Sequence, residues 1–369
     1  MSVASAPVNL FGLDRAGLRA RFAELGEKPY RADQVMLWIY RRGKDGFGEM
    51  SNLSKDLRER LDQHFVIRPP ELVAEQTSAD GTRKWALKLE GSDQVIETVF
   101  IPETDRGTLC ISSQVGCAMD CSFCSTGKQG LNRNMSTAEI IAQVWFAARA
   151  LGGDFQNERV ISNIVFMGMG EPLANYNAVV PAIRILLDDF GFGLSKRRVT
   201  VSTSGLVPFI DRLREDVDTA LAVSLHAPND ELRDVLVPIN RKYPLEDLMG
   251  ACRRYVEGKD RKMHIVYEYV MLDGVNDSPA LAKQLAKLLA NMPAKVNLIP
   301  FNPFPNTDYR RSTPEKIAAF KKILVDKDIL TTVRKTRGDD IDAACGQLVG
   351  QVTSKQKNRL GDIGVKIVQ

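Results

Sequence analysis

The feature that most constrains the fold is a regular alternation of apolar and amphipathic stretches through the C-terminal two-thirds of the chain. Apolar stretches typical of strands lie at 109–113, 161–167, 199–203, 220–225, 264–271 and 296–300. Stretches with helical spacing lie between them near 137–150, 177–190, 206–216, 245–257 and 279–291, and another follows at 314–327. Alternating β and α units form a parallel sheet covered by helices. The pattern therefore predicts an α/β fold, specifically an incomplete (β/α)6 barrel, with an open doubly wound sheet as the alternative.

Polar or glycine-rich loops follow five of these predicted strands. They contain the cysteine segment after the first strand, then 168–172, 202–205, 224–230 and 302–306. In parallel α/β folds the carboxyl ends of the strands face one side, and ligands bind there. We therefore predict that the site lies on this rim.

The N-terminal part of the chain has a different pattern. Apolar residues recur at helical spacing from about 10 to 64, and Pro69-Pro70 ends that run because proline cannot continue a helix. Strand-like stretches follow at 85–89 and 95–101. We predict a small helical accessory domain with short strands at 1–92, a barrel at 93–345, and a C-terminal helix with a basic tail at 346–369.

Composition narrows the cellular setting. The chain has no apolar run of about 18 residues, which a membrane span requires. Residues 1–26 mix charged and apolar side chains and lack the apolar core of a secretory signal, so we expect a cytoplasmic protein. Structural disulfides are rare in that reducing compartment, which favours metal or redox roles for the six cysteines.

Three of those cysteines form the sharpest local motif. Cys117, Cys121 and Cys124 place three thiols within one loop that also contains Ser, Asp and Gly. Thiolates bind iron–sulfur clusters, and a cubane with only three protein ligands leaves one iron open for catalysis. Zinc sites usually pair two C-x-x-C units or add histidines, and a thioredoxin-type pair would leave Cys117 without a role. The spacing therefore predicts a [4Fe–4S] site.

Basic residues are clustered, although the net charge is only +4. Each cluster is consistent with either a solvated surface or an RNA contact. The clusters are Lys196-Arg197-Arg198, Arg241-Lys242, Arg261-Lys262, Arg310-Arg311 and Lys355-Gln356-Lys357-Asn358-Arg359.

At these motifs the chain resembles the radical S-adenosylmethionine (SAM) enzymes, and more narrowly the RlmN-type adenine-C2 methyltransferases that act on ribosomal and transfer RNA. The likeness covers nearly the whole chain. It is carried by Trp38-Ile39-Tyr40, Ser51-Asn52-Leu53-Ser54-Lys55, Glu97-Thr98-Val99, Ser112-Ser113-Gln114-Val115-Gly116-Cys117, Gly170-Glu171-Pro172, Ser224-Leu225-His226-Ala227-Pro228-Asn229-Asp230 and Arg337-Gly338-Asp339-Asp340-Ile341-Asp342-Ala343-Ala344-Cys345-Gly346.

The resemblance implies a role for each of several residues. Cys117, Cys121 and Cys124 would bind the cluster. SAM would contact Gly170, Glu171, Ser202, Ser224, Leu225, His226 and Asn302.

Three further residues would be catalytic by the same resemblance. Cys345 would be methylated by a first SAM, and a radical from a second SAM would activate that methyl group for addition to adenine C2. Glu97 would remove the C2 proton, and Cys110 would attack Cys345 and leave a disulfide. From its position alone, Cys110 is typical of a small core residue, as is Cys252.

The resemblance also implies partners: ribosomal and transfer RNA, an electron donor such as flavodoxin, and no membrane, with the protein a monomer. We expect the accessory domain to contact RNA. Two alternatives stay open, a C8-methylating adenine methyltransferase on the same scaffold and an RNA-binding protein whose cysteines hold structural zinc.

Overall fold

A computed structural model describes residues 6–104, 106–152, 160–259 and 264–349. Two of the basic clusters, Arg261-Lys262 and the one at 355–359, lie outside these ranges, as does nearly all of the predicted C-terminal helix and tail. Within the described ranges, no helix is long and apolar enough to cross a membrane.

The strands and helices of the described residues follow the chain from the N-terminus. The strands are β1 (Val8–Asn9), β2 (Phe65–Val66), β3 (Glu71–Thr77), β4 (Arg83–Lys88), β5 (Val95–Glu103), β6 (Arg106–Cys110), β7 (Gln114–Gly116), β8 (Leu131–Asn134), β9 (Asn163–Phe166), β10 (Val199–Thr203), β11 (Ala220–Ser224), β12 (Ile265–Met271), β13 (Ala294–Pro300) and β14 (Leu330–Val333). The α-helices are α1 (Arg15–Glu24), α2 (Pro29–Arg42), α3 (Lys55–His64), α4 (Ser125–Gln129), α5 (Thr137–Ala150), α6 (Tyr176–Leu187), α7 (Val207–Asp216), α8 (Asp230–Leu236), α9 (Leu245–Val256), α10 (Pro279–Leu288) and α11 (Pro314–Val325).

One ten-stranded sheet organises the protein, in the order β14-β13-β12-β11-β10-β9-β6-β5-β4-β3. From β6 to β14 every neighbouring pair is parallel, and β3, β4 and β5 extend the sheet as an antiparallel meander. The parallel strands follow chain order without a reversal, whereas a doubly wound sheet reverses at its switch point. The α/β barrel prediction is therefore confirmed, and the doubly wound alternative is wrong.

Two parts of the sheet were not predicted. A seventh parallel strand, β14, is only four residues long and half-exposed, so its sequence has no clear apolar run. β3 is exposed at every position, which hides the alternation that marks a half-buried strand. Because β3 and β4 belong to the barrel sheet, the accessory unit joins the barrel through hydrogen bonds between strands; the boundary at 92/93 itself stays a prediction.

The helical N-terminal segment packs against α5. The indole of Trp145 on α5 donates a hydrogen bond to the Ile39 carbonyl on α2, at 3.0 Å. Its ring also lies 5.5 Å from the Phe11 ring, between centroids. Helix α5 begins at a capping box, in which Ser136 and Glu139 satisfy each other's backbone N–H groups. These contacts fix the accessory helices to the outside of the barrel.

Candidate functional site

The predicted site residues meet at the carboxyl ends of the parallel strands. One cavity, of about 160 Å³, is lined by the three loop cysteines together with residues from the ends of β9 to β13. We call it the cofactor cavity. It is lined by Cys117, Cys121, Cys124, Gly170, Glu171, Ser202, Ser224, His226, Asn302 and Cys345, among others. Of the predicted SAM contacts, Leu225 is missing from this lining.

The cysteine loop runs between β7 and α4 and is closed by backbone hydrogen bonds. The Cys117 N–H donates to the Gly130 carbonyl at 3.0 Å, and the Cys124 N–H donates to the Cys121 carbonyl at 3.1 Å. Gly116 allows the backbone to turn tightly where the cysteine loop begins. Its φ is +77°, and a Cβ there would lie 1.9 Å from the Gly130 oxygen. The loop geometry therefore requires glycine next to the first thiol.

The donor set of this loop fits an iron–sulfur cluster. Burial raises the pKa of the Cys117, Cys121 and Cys124 thiols, so each favours its proton until a metal replaces it. Across the described ranges, no three His, Cys, Asp or Glu side chains lie close enough together to hold a single metal ion. A cubane binds each thiolate through a different iron, so three thiols on one loop can supply three of its four ligands.

The next loop supplies Gly170 and Glu171. Gly170 has a φ of +97°, and a Cβ there would lie 2.4 Å from the Gln114 Cβ. The Glu171 carboxylate accepts hydrogen bonds from the N–H and the hydroxyl of Ser204, at 2.7 and 2.8 Å. Burial raises the pKa of this carboxyl, while the bonds from Ser204 oppose the rise. The result is a fixed polar group facing the cluster loop.

A buried arginine that the sequence analysis did not single out holds the ends of β10 and β11. Arg233 on α8 donates to the carbonyls of Ser204, Ser224 and Leu225, at 2.6, 3.1 and 3.1 Å. Burial lowers its pKa to about 10, which still leaves it charged at neutral pH. Leu225 is fully buried, and its N–H donates to the Glu268 carbonyl at 3.0 Å. The sequence signal was a charged residue one turn into the helix after the Asn229-Asp230 loop.

His226 lies in the left-handed region, with a φ of +59°. Its Nδ1 accepts a hydrogen bond from the Val270 N–H at 3.0 Å, and its ring meets the Phe123 ring edge-on at 4.4 Å between centroids. Burial lowers its pKa to about 3, so the imidazole is neutral at physiological pH. A neutral ring with one nitrogen already bonded can present only Nε2 to a ligand.

A second, smaller cavity of about 30 Å³ adjoins the first. Cys110, Val99 and Cys345 line it, and Cys345 and Arg334 line both cavities. We call it the cysteine chamber. Burial raises the pKa of Cys110 to about 12, with a further rise from Cys345 nearby. The structure thus brings together two cysteines that are far apart in the chain.

The segment that carries Cys345 is held over both cavities. Asn302 donates to the Cys345 carbonyl at 3.3 Å, and Thr126 beside the cluster loop donates to the Leu348 carbonyl at 2.5 Å. The Ser125 N–H also donates to the Gly346 carbonyl at 2.8 Å. Asn302 therefore connects the predicted cofactor contacts to the second cysteine.

Glu97 on β5 lies beside the cysteine chamber but is missing from its lining. One carboxylate oxygen is 3.3 Å from the Lys84 ammonium, and the other accepts the Val349 N–H at 2.9 Å. Neither Lys84 nor Arg334 was singled out from the sequence, since neither sits in a motif with chemistry of its own. The contacts of Lys84 with Glu97 and with the Asp342 carbonyl are shown only by the fold.

The described basic clusters are partly used for structure. Lys196 pairs with Asp218, and Arg311 donates to the Phe301 carbonyl at 2.6 Å and to the Asn302 side chain at 2.9 Å. Arg311 thereby supports the Asn302 loop. The prediction that these clusters contact RNA stays a prediction.

Comparisons with known proteins agree with this architecture. The family profile described as the ribosomal RNA large subunit methyltransferase N-terminal domain (RlmN_N) matches residues 8–67, and the radical SAM superfamily profile matches residues 111–285. A crystal structure of a radical SAM methyltransferase from Sphaerobacter thermophilus is 47% identical, covers 93% of this chain and 99% of its own, and superposes with a TM-score of 0.86.

Two more distant structures are less similar. A domain of pyruvate-formate lyase-activating enzyme from Bacteroides vulgatus is 18% identical, covering 47% of this chain and 99% of its own, with a TM-score of 0.36. SAM-bound SuiB from Streptococcus suis is 10% identical, covering 64% and 55%, with a TM-score of 0.45. Such low scores add nothing to the Sphaerobacter match, whose identity and coverage are decisive. The chain belongs to the radical SAM methyltransferases of the RlmN type.

Proposed function

We propose that this protein methylates C2 of a specific adenine in large-subunit (23S) ribosomal RNA, and of the adenine 3′ to the anticodon in some transfer RNAs, through a methylated cysteine. The observation that carries the proposal is the adjacency of the two cavities. Cys345 lines the cofactor cavity beside the cluster loop and also the chamber that contains Cys110. A thiol at that junction can receive a methyl group on one side and deliver it on the other.

A radical SAM domain implies a [4Fe–4S] cluster and SAM, and the residues present fit both. Cys117, Cys121 and Cys124 would hold the cluster. The seven predicted contacts, six of them in the lining and Leu225 through its backbone, would hold SAM. When bound, these groups supply a 5′-deoxyadenosyl radical that can take a hydrogen atom from an S-methyl group. Such chemistry suits adenine C2, whose C–H is neither acidic nor nucleophilic.

Cys345 is the methyl carrier in this proposal. Its thiolate attacks the methyl carbon of a first SAM. A bond forms between the Cys345 sulfur and the methyl carbon, and the bond between that carbon and the SAM sulfur breaks. The SAM sulfur keeps the electron pair and becomes a neutral thioether. A second SAM is consumed to activate that methyl group, which makes two per turnover. Cys345 then bears a carbon-centred radical that adds to C2 of the adenine. Asn302, bonded to the Cys345 carbonyl, orients the segment.

Cys110 completes the reaction. Its thiolate attacks the Cys345 sulfur, an S–S bond forms, and the S–CH₂ bond breaks. The electron pair leaves on the carbon, which takes up a proton and becomes the product methyl group. The two thiols end as a disulfide, so a reductant must restore them before the next turnover.

Glu97 is the base that removes the C2 proton. With that proton the adduct radical would also lose one electron, returned to the cluster that was oxidised when SAM was cleaved, so the adenine ring is closed-shell before Cys110 attacks. The Glu97 carboxylate lies on the same strand as Val99, which lines the cysteine chamber. One of its oxygens is bonded to the Val349 N–H, so that backbone group must move to expose the oxygen to substrate. We propose that RNA entry displaces the 346–349 segment.

The proposed partners are RNA, contacted in part through the accessory helices, and an electron donor such as flavodoxin. We propose that the protein works as a monomer in the cytoplasm. Positively charged side chains on the rim would contact phosphates, which position the RNA without specifying its sequence.

The decisive experiment is mass spectrometry of modified adenosines in ribosomal and transfer RNA from cells lacking the protein. We expect 2-methyladenosine to disappear from both and to return with the intact gene. Loss of 8-methyladenosine instead would assign the protein to the C8-methylating alternative.

The Cys345→Ala variant tests the carrier role separately. It should reconstitute a brown, cluster-bearing protein that forms 5′-deoxyadenosine from SAM, yet methylate no RNA. If this variant failed to assemble the cluster, Cys345 would belong with the metal ligands and the carrier role would be wrong. Zinc without sulfide in the wild-type protein would favour the structural-zinc alternative.

A further inference from the structure

The cysteine chamber adjoins a buried ion pair that the proposed reaction leaves unexplained. Lys84 and Glu97 have side chains only 8% and 9% exposed, and the ammonium lies 3.3 Å from a carboxylate oxygen. Lysine is almost never buried unless it is paired, because desolvating its charge is costly. A buried pair is weak evidence for stability, so its position raises the question of function.

The strand register places this pair beside the reacting cysteine. Lys84 on β4 is directly opposite Val99 on β5, and Val99 is directly opposite Cys110 on β6. Directly opposite residues on neighbouring strands share a face of the sheet, and Glu97 shares it as well, two residues before Val99. Lys84, Glu97 and Cys110 therefore project on the same side.

Lys84 also reaches the segment that carries the second cysteine. Its ammonium donates a hydrogen bond to the Asp342 carbonyl at 3.4 Å. Asp342 precedes Ala343 and Ala344, and both of these line the cysteine chamber with Cys345. One cation thus links the carboxylate of β5 to the loop that carries the methyl group.

The other charged or titratable groups around the chamber come from two elements. Cys110 lies on β6, and Arg334, Lys335, Arg337 and Cys345 lie in the segment after β14. Arg337 is 3.6 Å from the Asp80 carboxylate. The nearby Cys345 raises the pKa of Arg334, followed by Glu268 and Cys110. Arg334 is thus associated with the thiols and Glu268, whereas Lys84 is the cation paired with Glu97.

We propose that Lys84 is a positioning residue for Glu97: it keeps the buried carboxylate ionised and aimed at the chamber, and holds it in register with the Cys345 segment. This inference rests on the role proposed above for Glu97. The proton moves from adenine C2 to the Glu97 carboxylate, and Lys84 keeps its own proton throughout. Without the ammonium, the buried carboxylate would take up a proton more readily and would no longer act as a base.

The test separates steps before and after the radical addition. Wild-type protein, Lys84→Met, Lys84→Arg and Glu97→Gln are reconstituted with the cluster and assayed with SAM and RNA. Both 5′-deoxyadenosine and methylated RNA are measured over a range of pH. For Lys84→Met we expect 5′-deoxyadenosine to form as in wild type, while methylated RNA per 5′-deoxyadenosine falls at least about tenfold near neutral pH.

The pH profile distinguishes positioning from a packing role. In Lys84→Met the acid limb of RNA methylation should move to higher pH, and Lys84→Arg should restore most of the yield because it restores the charge. A packing defect would instead lower the yield equally at every pH. Lys88→Met is the matched control, since Lys88 lies on the same strand and face but pairs with the exposed Asp93. It should match wild type.

A double variant keeps the proposal testable even if Lys84→Met loses stability. If Lys84 acts through Glu97, then adding Lys84→Met to Glu97→Gln should lower methylation no further. An unchanged pH profile and yield in Lys84→Met, with Glu97→Gln defective, would overturn the role of Lys84 alone. Wild-type methylation by Glu97→Gln would instead overturn the base role proposed for Glu97.

Discussion

The cofactor cavity and the cysteine chamber use the same element, sulfur, but are built differently. Three thiols of the cofactor cavity come from one loop between β7 and α4, and their geometry is fixed by local hydrogen bonds such as that between Cys117 and Gly130. The two thiols of the chamber come from β6 and from the segment after β14. The first group is assembled by the loop, whereas the second is assembled by the whole sheet.

The difference fits the two roles that we propose for these cysteines. A metal site needs ligands held at fixed spacing, which a short loop with glycine at Gly116 provides. A methyl carrier must face the cofactor and then the substrate, which suits a segment held by a few hydrogen bonds, such as those from Asn302 and Thr126. Our proposal therefore requires a fixed loop for the cluster and a segment that moves for the methyl carrier.

The largest expected effect on activity comes from a change in the cofactor cavity. Cys121→Ala should abolish the cluster, and with it both SAM cleavage and RNA methylation, because a cubane cannot be retained by two thiolates. Iron and sulfide content after anaerobic reconstitution gives the measurement. Cys252→Ala is the control, since Cys252 is fully buried on α9 and away from both cavities. Its variant should bind the cluster, and full cluster content in Cys121→Ala would contradict the assigned role.

The next effect concerns the chamber. Cys110→Ala should keep the cluster and SAM cleavage but trap a covalent protein–RNA adduct, because no thiolate remains to attack Cys345. Denaturing gel electrophoresis with labelled RNA, with and without ribonuclease, would detect the adduct. Free 2-methyladenosine product from this variant would show that Cys110 is only a core residue.

The smallest expected effect is the pH dependence of stability that His226, in the cofactor cavity, contributes. The pKa of His226 is about 3 in the folded protein, against an ordinary value near 6.5. Between these values the unfolded chain binds a proton that the folded chain does not. The free energy of unfolding should therefore fall as pH decreases from about 6.5 toward 3, by at most about 1.4 kcal/mol per pH unit from this residue.

His226→Asn should reduce that slope. Asparagine tolerates the left-handed conformation and can accept the Val270 N–H in place of the imidazole. Urea unfolding of cofactor-free protein at several pH values gives the comparison. His64→Asn, at the exposed end of α3, is the control for removing an imidazole outside both cavities. Equal slopes in wild type and His226→Asn would contradict the neutral, buried imidazole.

The sequence predicted the parts that depend on local pattern. The six parallel strands and the helices around them were found within a few residues, because a buried strand or an amphipathic helix reveals itself by periodicity. The cysteine trio could be recognised because its three thiols lie on one loop. The cluster, SAM and the family followed from those motifs.

The rest depended on contacts between distant residues. Lys84 looks like any lysine on a strand until the register places it opposite Val99. Arg233 reads as a surface residue of α8, although it is fully buried and bonded to three backbone carbonyls. A short strand such as β14 is defined by its neighbour β13 rather than by its own composition. Each of these three features depends on contacts with other parts of the chain, and such contacts leave no periodic pattern in the sequence.

The antiparallel extension of the sheet sets where Lys84 lies relative to Glu97. Along a strand, a slip of one residue turns every side chain to the opposite face. If the pairing of β4 with β5 slipped by one, Lys84 would turn away from Glu97, although both strands would keep their hydrogen bonds. The loop between Lys88 and Val95 therefore joins two strands whose register the proposed role of Lys84 requires. A slip there would separate Lys84 from the carboxylate that we propose it positions, while the pairing of β5 with β6 kept Glu97 and Cys110 on one face.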